Sequence, residues 1–186
     1  MVRVFQLRNS CDAILVGIGT VLADDPKLTV KEKYVTELKQ PTRVVLDSSL
    51  RTPEHALVVN DHAQTLLIVK EGQVCDKTYG PMVEIIHCPT KHDFLDLPTV
   101  LDILYEKGIQ SILVEGGGTI IWEFLKHKLV DEIYVFIGSM IIGGAQTPTM
   151  ADGDGILSET DVIRLHLVDL TRMKGGVLVH YQPIQD

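Results

Sequence analysis

Short runs of aliphatic residues recur along the sequence, and most are apolar on both faces instead of alternating between apolar and polar. Such runs are typical of strands in a parallel sheet that is covered by helices on both sides. Each run ends at polar residues or glycine, which limits it to the length of one strand. The clearest runs are AILVGI (13–18), RVVLD (43–47), TLLIVK (65–70), VEIIH (83–87), SILVE (111–115) and EIYVFI (132–137).

Helical patterns lie between several of these strands, and an alternating pair of strands closes the sequence. VFQLRNS (4–10), PTVLDILYEKG (98–108) and TIIWEFLKHKLVDE (119–132) are the helical segments. RLHLVDL (164–170) and GVLVHYQ (176–182) alternate and are joined by TRMKG, which predicts an antiparallel hairpin. We therefore expect an α/β fold with a mostly parallel central sheet flanked by helices, a C-terminal hairpin, and a single domain over residues 1–186.

The composition argues against several classes of partner. The 186 residues carry a formal net charge of −8, whereas nucleic acids and anionic membranes bind to basic faces. The longest uncharged stretch, 133–151, contains Gly, Thr and Pro in its second half and does not predict a membrane span. Cys11, Cys75 and Cys88 show no close pairing, so we expect reduced thiols and a cytoplasmic protein.

Two glycine turns follow predicted strands. VEGGGT (114–119) separates a strand from a helix, and AILVGIGT (13–20) ends in a second turn. Glycine lets a phosphate reach free backbone N–H groups at a helix N-terminus. Ligands of open parallel sheets lie at the carboxyl ends of the strands, so the two turns together suit a dinucleotide. Neither is a Rossmann fingerprint, because Leu22 and Ile121 stand at the third-glycine positions, and each turn alone fits a structural role equally well.

The segment RVVLDSSLRTP (43–53) adds possible contacts to one end of a dinucleotide. Ser48, Ser49 and Arg51 follow the predicted strand within one turn. An NAD site favours an acid that binds the ribose 2′-hydroxyl, whereas an NADP site needs donors for the 2′-phosphate. These three side chains are such donors, which favours NADP. The alternative is a hydroxyl-rich surface turn without a ligand.

A second polar cluster, HCPTKH (87–92), invites comparison with a metal site. It brings His87, Cys88 and His92 together. Structural zinc needs four ligands, and no partner set is evident in the sequence. We therefore predict no metal site and interpret the cluster as a strand end that runs into a polar loop.

Four segments together resemble the reductase of riboflavin biosynthesis. They are LRNSCDAILVGIGTVLADDPKLTV (7–30), TRVVLDSSLRTP (42–53), ILVEGGGTIIWEFLKHKLVDEIYVFI (112–137) and IIGGAQTPT (141–149). The resemblance implies a dihydrofolate-reductase-like fold, NADPH as cofactor and a homodimer. The zinc deaminase motifs H-x-E and P-C-x-x-C of the bacterial bifunctional form are absent from this sequence, so it resembles the free-standing archaeal and fungal type.

The resemblance also implies positions for the binding residues. The family's cofactor positions fall on Thr20, Asp24, Ser48 and the run 117–123, which includes Gly117, Gly118, Thr119 and Ile120; we add Arg51 for the 2′-phosphate. Its substrate positions fall on Arg8, Leu28, Lys31 and Glu115. Two departures are Lys31, where relatives often have Arg, and Ser139-Met140, where they often have Ala-Pro. A lysine cannot grip a phosphate in the bidentate manner of arginine.

Family members also carry an N-terminal segment that precedes the matched region. It comprises roughly forty residues and supplies a central strand, whose loss would leave unpaired backbone groups in the sheet. We therefore expect the N-terminal strand of the family to be missing from this sequence and expect residues 1–186 alone not to be fully active.

The implied reaction is the reduction of 2,5-diamino-6-ribosylamino-4(3H)-pyrimidinone 5′-phosphate, in which hydride transfer to C1′ turns the ribosyl group into a ribityl group. Arg8 and Lys31 would bind the 5′-phosphate, and Glu115 would accept hydrogen bonds from the pyrimidine amino groups. The proton donor is not identified; Asp24, Glu115 and water are the candidates. The alternatives are a reductase of the same fold that acts on a deaminated pyrimidine or a pterin, or a non-catalytic dinucleotide-binding protein.

Overall fold

The structure, a computed structural model, describes residues 2–92, 94–144, 147 and 149–184. None of the helices in this described part of the chain is long and apolar enough to cross a membrane. The chain divides into two compact units, residues 1–117 and 118–186, and each is described by itself. The single domain expected from the sequence stays a prediction.

The first unit is built on a five-stranded parallel sheet. In chain order its strands and helices are α1 (Val2–Ser10), β1 (Ala13–Gly17), α2 (Ile18–Asp24), β2 (Thr42–Leu46), β3 (Thr65–Lys70), β4 (Val83–Cys88), β5 (Thr90–Lys91), β6 (Phe94–Leu95), α3 (Leu97–Glu106) and β7 (Ile112–Val114). The parallel sheet has the order β4-β3-β2-β1-β7, and β5 pairs with β6 in a small antiparallel hairpin. Single 3₁₀ turns occur at Glu32–Tyr34 and Leu57–Val59.

The central strands are buried on both faces, as their two-sided apolar sequences predict. Every residue of β1 is buried, and β2 and β3 each have a single residue that is not. On one side of the sheet, Ile14, Val16, Val45, Leu67 and Val69 belong to one core cluster. Removal of this apolar surface from water is the main favourable contribution to folding.

The segment after β1 differs from the expected glycine turn. The helix α2 begins directly at Ile18, so Gly19 and Thr20 lie in its first turn. Ile18 and Val21 bury their side chains, and this packing overrides the low helix propensity of glycine. The helix ends at Asp24, and Asp25 follows in the left-handed conformation with a φ of 41°.

A carboxylate at the amino-terminal edge of the sheet connects β1 to the start of β7. Asp12 accepts hydrogen bonds from the backbone N–H groups of Gln110 (3.0 Å) and Ser111 (2.9 Å), from Ser111 Oγ (2.9 Å) and from Lys39 Nζ (2.6 Å). The bonds from Lys39 and Ser111 hold the pKa of Asp12 well below its usual range. This edge of the sheet is opposite to the one at which ligands of parallel sheets bind.

In the second unit, the described residues form a helix and an antiparallel sheet. Its elements are α4 (Gly118–Lys126), β8 (Ile133–Gly138), β9 (Leu165–Met173) and β10 (Gly176–Pro183), and the strand order is β8-β10-β9. Two expectations are corrected here. The run 132–137 forms an antiparallel strand and not a parallel one. The helix expected over 119–132 ends at Lys126, and Lys128 adopts a left-handed φ of 56° soon after it.

The closing hairpin is longer than its sequence pattern indicates. β9 continues to Met173 and β10 begins at Gly176, so the expected five-residue connection shortens to Lys174 and Gly175. Gly175 has a φ of 89°, which a tight hairpin turn requires and which glycine adopts without strain. The expected α/β fold class is confirmed, with a parallel central sheet and a C-terminal antiparallel sheet.

Candidate active site

The segments that follow β1, β2 and β7 meet at one edge of the first unit, because these strands are parallel neighbours. Each segment carries residues that the sequence predicts for binding. Thr20 and Asp24 follow β1, Ser48 follows β2, and Glu115 follows β7. The ladder between β1 and β7 continues to Glu115, whose N–H donates to Leu15 O at 2.9 Å. This edge is the candidate active site.

Two of the predicted substrate residues bind each other directly. Arg8 donates from Nε to Glu115 Oε1 at 2.8 Å and from Nη2 to Oε2 at 2.6 Å, which makes a bidentate pair. Arg8 also donates from Nη1 to the carbonyl of Thr29 at 3.2 Å. The two side chains are 16% and 23% exposed, so the pair is partly shielded from water. Such charge-assisted pairs have fixed geometry, and Arg8 therefore orients the Glu115 carboxylate.

Lys31 joins this pair through an aromatic ring that the sequence analysis did not single out. Phe5, the only buried residue of α1, stacks on Tyr34 with a centroid distance of 4.8 Å. The Arg8 guanidinium lies 5.7 Å from the centre of the Phe5 ring, and Lys31 Nζ lies 5.6 Å from it. Two predicted phosphate-binding cations therefore flank one ring, at a distance typical of cation–π contacts.

Leu28, the fourth predicted substrate residue, occupies a different environment. Its side chain is buried in the core cluster of the first unit, and its backbone has a left-handed φ of 49°. A leucine in this conformation is unusual, because its Cβ crowds the backbone. Only the backbone of Leu28 is available to a ligand.

The backbone conformation of the 114–119 turn requires glycine at two positions. Gly116 and Gly117 have φ values of 80° and 81°, which other residues rarely adopt. A Cβ on Gly116 would lie 3.4 Å from Thr20 Oγ1, so the turn after β7 packs directly against α2. A Cβ on Gly19 would point into open space, which leaves room for a ligand beside the first turn of α2.

In the second unit, the predicted cofactor residues Gly118, Thr119 and Ile120 form the first turn of α4. A Cβ on Gly118 would lie 2.1 Å from Asp152 Oδ2, so only glycine fits there. A Cβ on Gly153 would lie 2.0 Å from the Trp122 ring. Trp122 is buried against Gly153, so its side chain has a packing role.

The turn after β2 buries its first polar side chain and presents the polar side chains that follow at the surface. Asp47 is completely buried, Ser48 is half-buried, and Ser49 and Arg51 are exposed. The Asp47 carboxylate accepts hydrogen bonds from the N–H groups of Arg51 (2.9 Å) and Thr52 (2.7 Å) and from Thr52 Oγ1 (2.7 Å). Only its place at a strand end distinguishes this inward carboxylate in the sequence.

No group of three or more His, Cys, Asp and Glu residues that could hold a metal ion occurs among the residues that the structure describes. Cys88 is buried at the end of β4, and burial raises the pKa of its thiol. His87 lies on the same strand, and its Nδ1 is 3.3 Å from the carbonyl of Lys70. An open depression of about 690 Å³ between α1 and residues 33–37 contains none of the predicted site residues.

The chain matches the family model of the RibD C-terminal domain over residues 2–179. It belongs to this reductase family. It is 40% identical over 181 residues to the 2,5-diamino-6-ribosylamino-4(3H)-pyrimidinone 5′-phosphate reductase of Methanothermobacter thermautotrophicus, a match that covers 96% of this chain and 83% of the relative. The reductase of the same name from Archaeoglobus fulgidus is 38% identical over 170 residues, with 88% and 78% covered.

Solved structures of the RibD family share the fold. The bifunctional deaminase and 5-amino-6-(5-phosphoribosylamino)uracil reductase of Thermotoga maritima is 29% identical with a TM-score of 0.78, and the match covers 98% of this chain and 48% of that protein. The riboflavin biosynthesis reductase of Saccharomyces cerevisiae has a TM-score of 0.74 at 22% identity, with 98% and 79% covered. The resemblance to the riboflavin-pathway reductases and the oxidoreductase class are confirmed. The family implies a nicotinamide dinucleotide as cofactor.

Proposed function

We propose that the chain is the NADPH-dependent reductase that converts 2,5-diamino-6-ribosylamino-4(3H)-pyrimidinone 5′-phosphate to its ribitylamino form in the cytoplasm. The observation that carries the proposal is the bidentate pair between Arg8 and Glu115 at the carboxyl edge of the sheet. It places a fixed carboxylate and a guanidinium at the edge of the sheet at which the first turn of α2 leaves open space at Gly19. The archaeal relatives that bear this activity in their names support the choice of substrate.

The pair has enough unused hydrogen-bonding capacity for the substrate. Arg8 uses three of its five N–H groups, so two remain for a phosphate. Each Glu115 oxygen accepts one bond from Arg8 and has a second lone pair for an amino group of the pyrimidine. Lys31 adds a second positive charge at the Phe5 ring, with its Nζ 5.6 Å from the ring centre, which strengthens the attraction for the phosphate.

The cofactor contacts are proposed for each unit separately. In the first unit, Thr20, Asp24 and Gly117 line the edge beside Gly19, and Ser48 and Arg51 donate to the 2′-phosphate. In the second unit, the first turn of α4 offers the backbone N–H groups of Gly118, Thr119 and Ile120 to an anionic group. Bound NADPH supplies the hydride that reduces C1′ of the opened ribosylamino group.

The residues of the chain act by position and charge. Glu115 fixes the pyrimidine ring, and the cations at Phe5 fix the phosphate, so that the sugar between them is held in one orientation. Reduction also requires a proton at the nitrogen attached to C1′. Asp24 and Glu115 are the two candidates for its donor, and Asp24 is the exposed one of the pair.

We also propose that the protein is a homodimer. Its antiparallel sheet exposes apolar side chains in the second unit, among them Phe136, Ile137, Leu167 and Leu170. Exposed apolar side chains on a sheet are typical of an interface between protein chains.

The substrate assignment is tested by following NADPH oxidation with two matched substrates. We expect turnover with the 2,5-diamino-pyrimidinone phosphate and a much lower kcat/KM with 5-amino-6-(5-phosphoribosylamino)uracil, the substrate in the name of the Thermotoga maritima relative. Dihydrofolate serves as the pterin control. A preference for the uracil or for dihydrofolate would contradict the proposal. If the protein binds NADPH but oxidises it with none of the three compounds, it is a non-catalytic dinucleotide-binding protein.

A further inference from the structure

The turn that follows β2 is held from the inside by a single buried side chain. Asp47 has no exposed surface, yet its carboxylate accepts three hydrogen bonds, two from backbone N–H groups and one from the Thr52 hydroxyl. A buried carboxylate is costly unless its oxygens are paired. The turn supplies those partners, and the carboxylate in return fixes the backbone of Arg51 and Thr52.

The same turn contains an unusual backbone conformation. Leu50 has a left-handed φ of 52°, its N–H donates to Asp47 O at 3.0 Å, and its side chain is buried. A non-glycine residue adopts this conformation only where its surroundings impose it. The Asp47 carboxylate lies on the inner side of the turn and imposes it by binding the two N–H groups that follow.

A second set of contacts holds the turn from the neighbouring segment after β3. Lys77 Nζ donates to Leu50 O at 2.5 Å and to Thr52 O at 2.9 Å. Tyr79 Oη donates to the same Thr52 carbonyl at 2.7 Å. The carbonyls on both sides of Arg51 are therefore occupied, and the backbone of the turn is fixed before any ligand arrives.

The polar side chains that this turn presents remain available to a ligand. In the described part of the chain, Ser48, Ser49 and Arg51 make no side-chain hydrogen bond or ion pair. One positive charge and two hydroxyl groups thus stand on a rigid backbone at the carboxyl edge of the sheet. A rigid display of this kind lowers the entropy lost when a phosphate is bound.

We propose that Asp47 is a positioning residue for recognition of the cofactor's 2′-phosphate. Asp47 does not touch the phosphate; it holds the backbone from which Ser48, Ser49 and Arg51 reach it. This inference rests on the proposed function, in which NADPH is the cofactor. In an Asp47→Asn variant, the amide NH₂ would face N–H donors where a carboxylate oxygen now accepts, and the turn would relax.

Asp12 provides a matched control on the same sheet. Its carboxylate also accepts from two backbone N–H groups and one hydroxyl, and in addition from Lys39 Nζ, but at the opposite edge. Asp12→Asn therefore removes a comparable set of bonds without touching the proposed phosphate site. If Asp47 has only a structural role, we expect the two variants to show the same change in nucleotide binding and in thermal midpoint.

The experiment measures equilibrium binding of 2′,5′-ADP and of 5′-AMP to the full chain, together with the thermal midpoint of each variant. We expect the wild type to bind 2′,5′-ADP more tightly than 5′-AMP. Asp47→Asn should reduce that ratio by roughly tenfold, the effect of one hydrogen bond to a charged group. Asp12→Asn should lower the thermal midpoint but leave the ratio unchanged, and Arg51→Ala should abolish the preference.

The outcomes separate this inference from the proposed function. A wild type that binds both nucleotides equally would contradict the choice of NADPH itself. A wild type with a clear preference that Asp47→Asn retains would overturn the positioning role. If Asp47→Asn does not fold, Thr52→Val is the second variant, because it removes only the hydroxyl bond to Asp47. We then expect a smaller drop in the ratio of the two nucleotide affinities. An unchanged ratio at a lowered thermal midpoint would refute the inference.

Discussion

Arg8 and Glu115 are 107 positions apart, yet their side chains form the closest charged contact of the candidate site. A carboxylate held by two parallel bonds cannot rotate freely, so its remaining lone pairs point in fixed directions. A substrate amino group therefore meets an acceptor that is already oriented. The binding role proposed for Glu115 depends on this orientation as much as on its charge.

A Glu115→Gln substitution tests that role. The amide has one acceptor oxygen, and its NH₂ faces an Arg8 donor, so the pair is disrupted. We expect KM for the pyrimidine phosphate to rise roughly ten- to hundredfold, the cost of a lost charged hydrogen bond, while the affinity for NADPH stays unchanged. Steady-state kinetics and NADPH titration measure both quantities.

Glu84→Gln is the control for this substitution, because Glu84 pairs with Lys107 at 2.7 Å at an exposed position on β4. It should leave KM and kcat at wild-type values. Normal kinetics in Glu115→Gln would remove Glu115 from the substrate site and leave its pair with Arg8 as a structural contact.

At the scale of single residues, the sequence predicts which side chains are present at the site but not how they are paired. Motif positions alone point to Arg8, Lys31 and Glu115. Phe5 has no such signal, because an aromatic residue on a short helix is most often a packing residue. Its contact with Arg8 follows from their i, i+3 spacing on α1, whereas its contacts with Lys31 and Tyr34 depend on a loop conformation that no local period encodes.

At the scale of secondary structure, the buried strands were predictable because their sequences are apolar on both faces. The helix α2 was not, since Gly17 and Gly19 indicate a turn and the segment has only seven residues. Burial of Ile18 and Val21 decides its conformation, and that burial is a tertiary effect. Gly116 and Gly117, in the 114–119 turn, have φ values near 80°. This backbone conformation explains the two glycines without a ligand.

One element-scale contact is strong enough to test. Arg43, in β2, is fully buried and donates to Leu57 O (3.3 Å), to Asn60 Oδ1 (2.7 Å), to Asn60 O (2.6 Å) and to Ala63 O. Burial lowers its pKa to about 10, so the guanidinium stays charged at neutral pH. It ties the strand to the whole 57–63 segment.

We expect Arg43→Met to lower the free energy of unfolding by about 2–4 kcal/mol, because several buried acceptors lose their donor at once. Urea denaturation measures the change. Arg172→Met, at an exposed position of β9, is the control and should change stability by less than about 0.5 kcal/mol. Equal stability of Arg43→Met and the wild type would show that methionine packing compensates fully for the lost hydrogen bonds.

At the scale of the whole molecule, the run 132–137 shows where reasoning from apolarity is ambiguous. It was predicted as a buried parallel strand, but it pairs in an antiparallel sheet, and Phe136 and Ile137 are each 54% exposed. A sequence that is apolar on both faces indicates that both faces are covered, without indicating what covers them. Coverage by a second copy of the chain is the explanation that the proposed homodimer provides.

This explanation leads to a prediction about the state of association. Leu170, on β9, is 56% exposed, and Leu167 on the same strand is 50% exposed. A lysine in a dimer interface would bury an unpaired charge, which costs far more than the lost leucine contact. We therefore expect the wild type to sediment as a dimer and Leu170→Lys to sediment as a monomer. Val74→Lys, at a 75% exposed position of the first unit, should remain dimeric. A monomeric wild type, or a Leu170→Lys variant that stays dimeric, would mean that this apolar sheet is not the surface through which two copies associate.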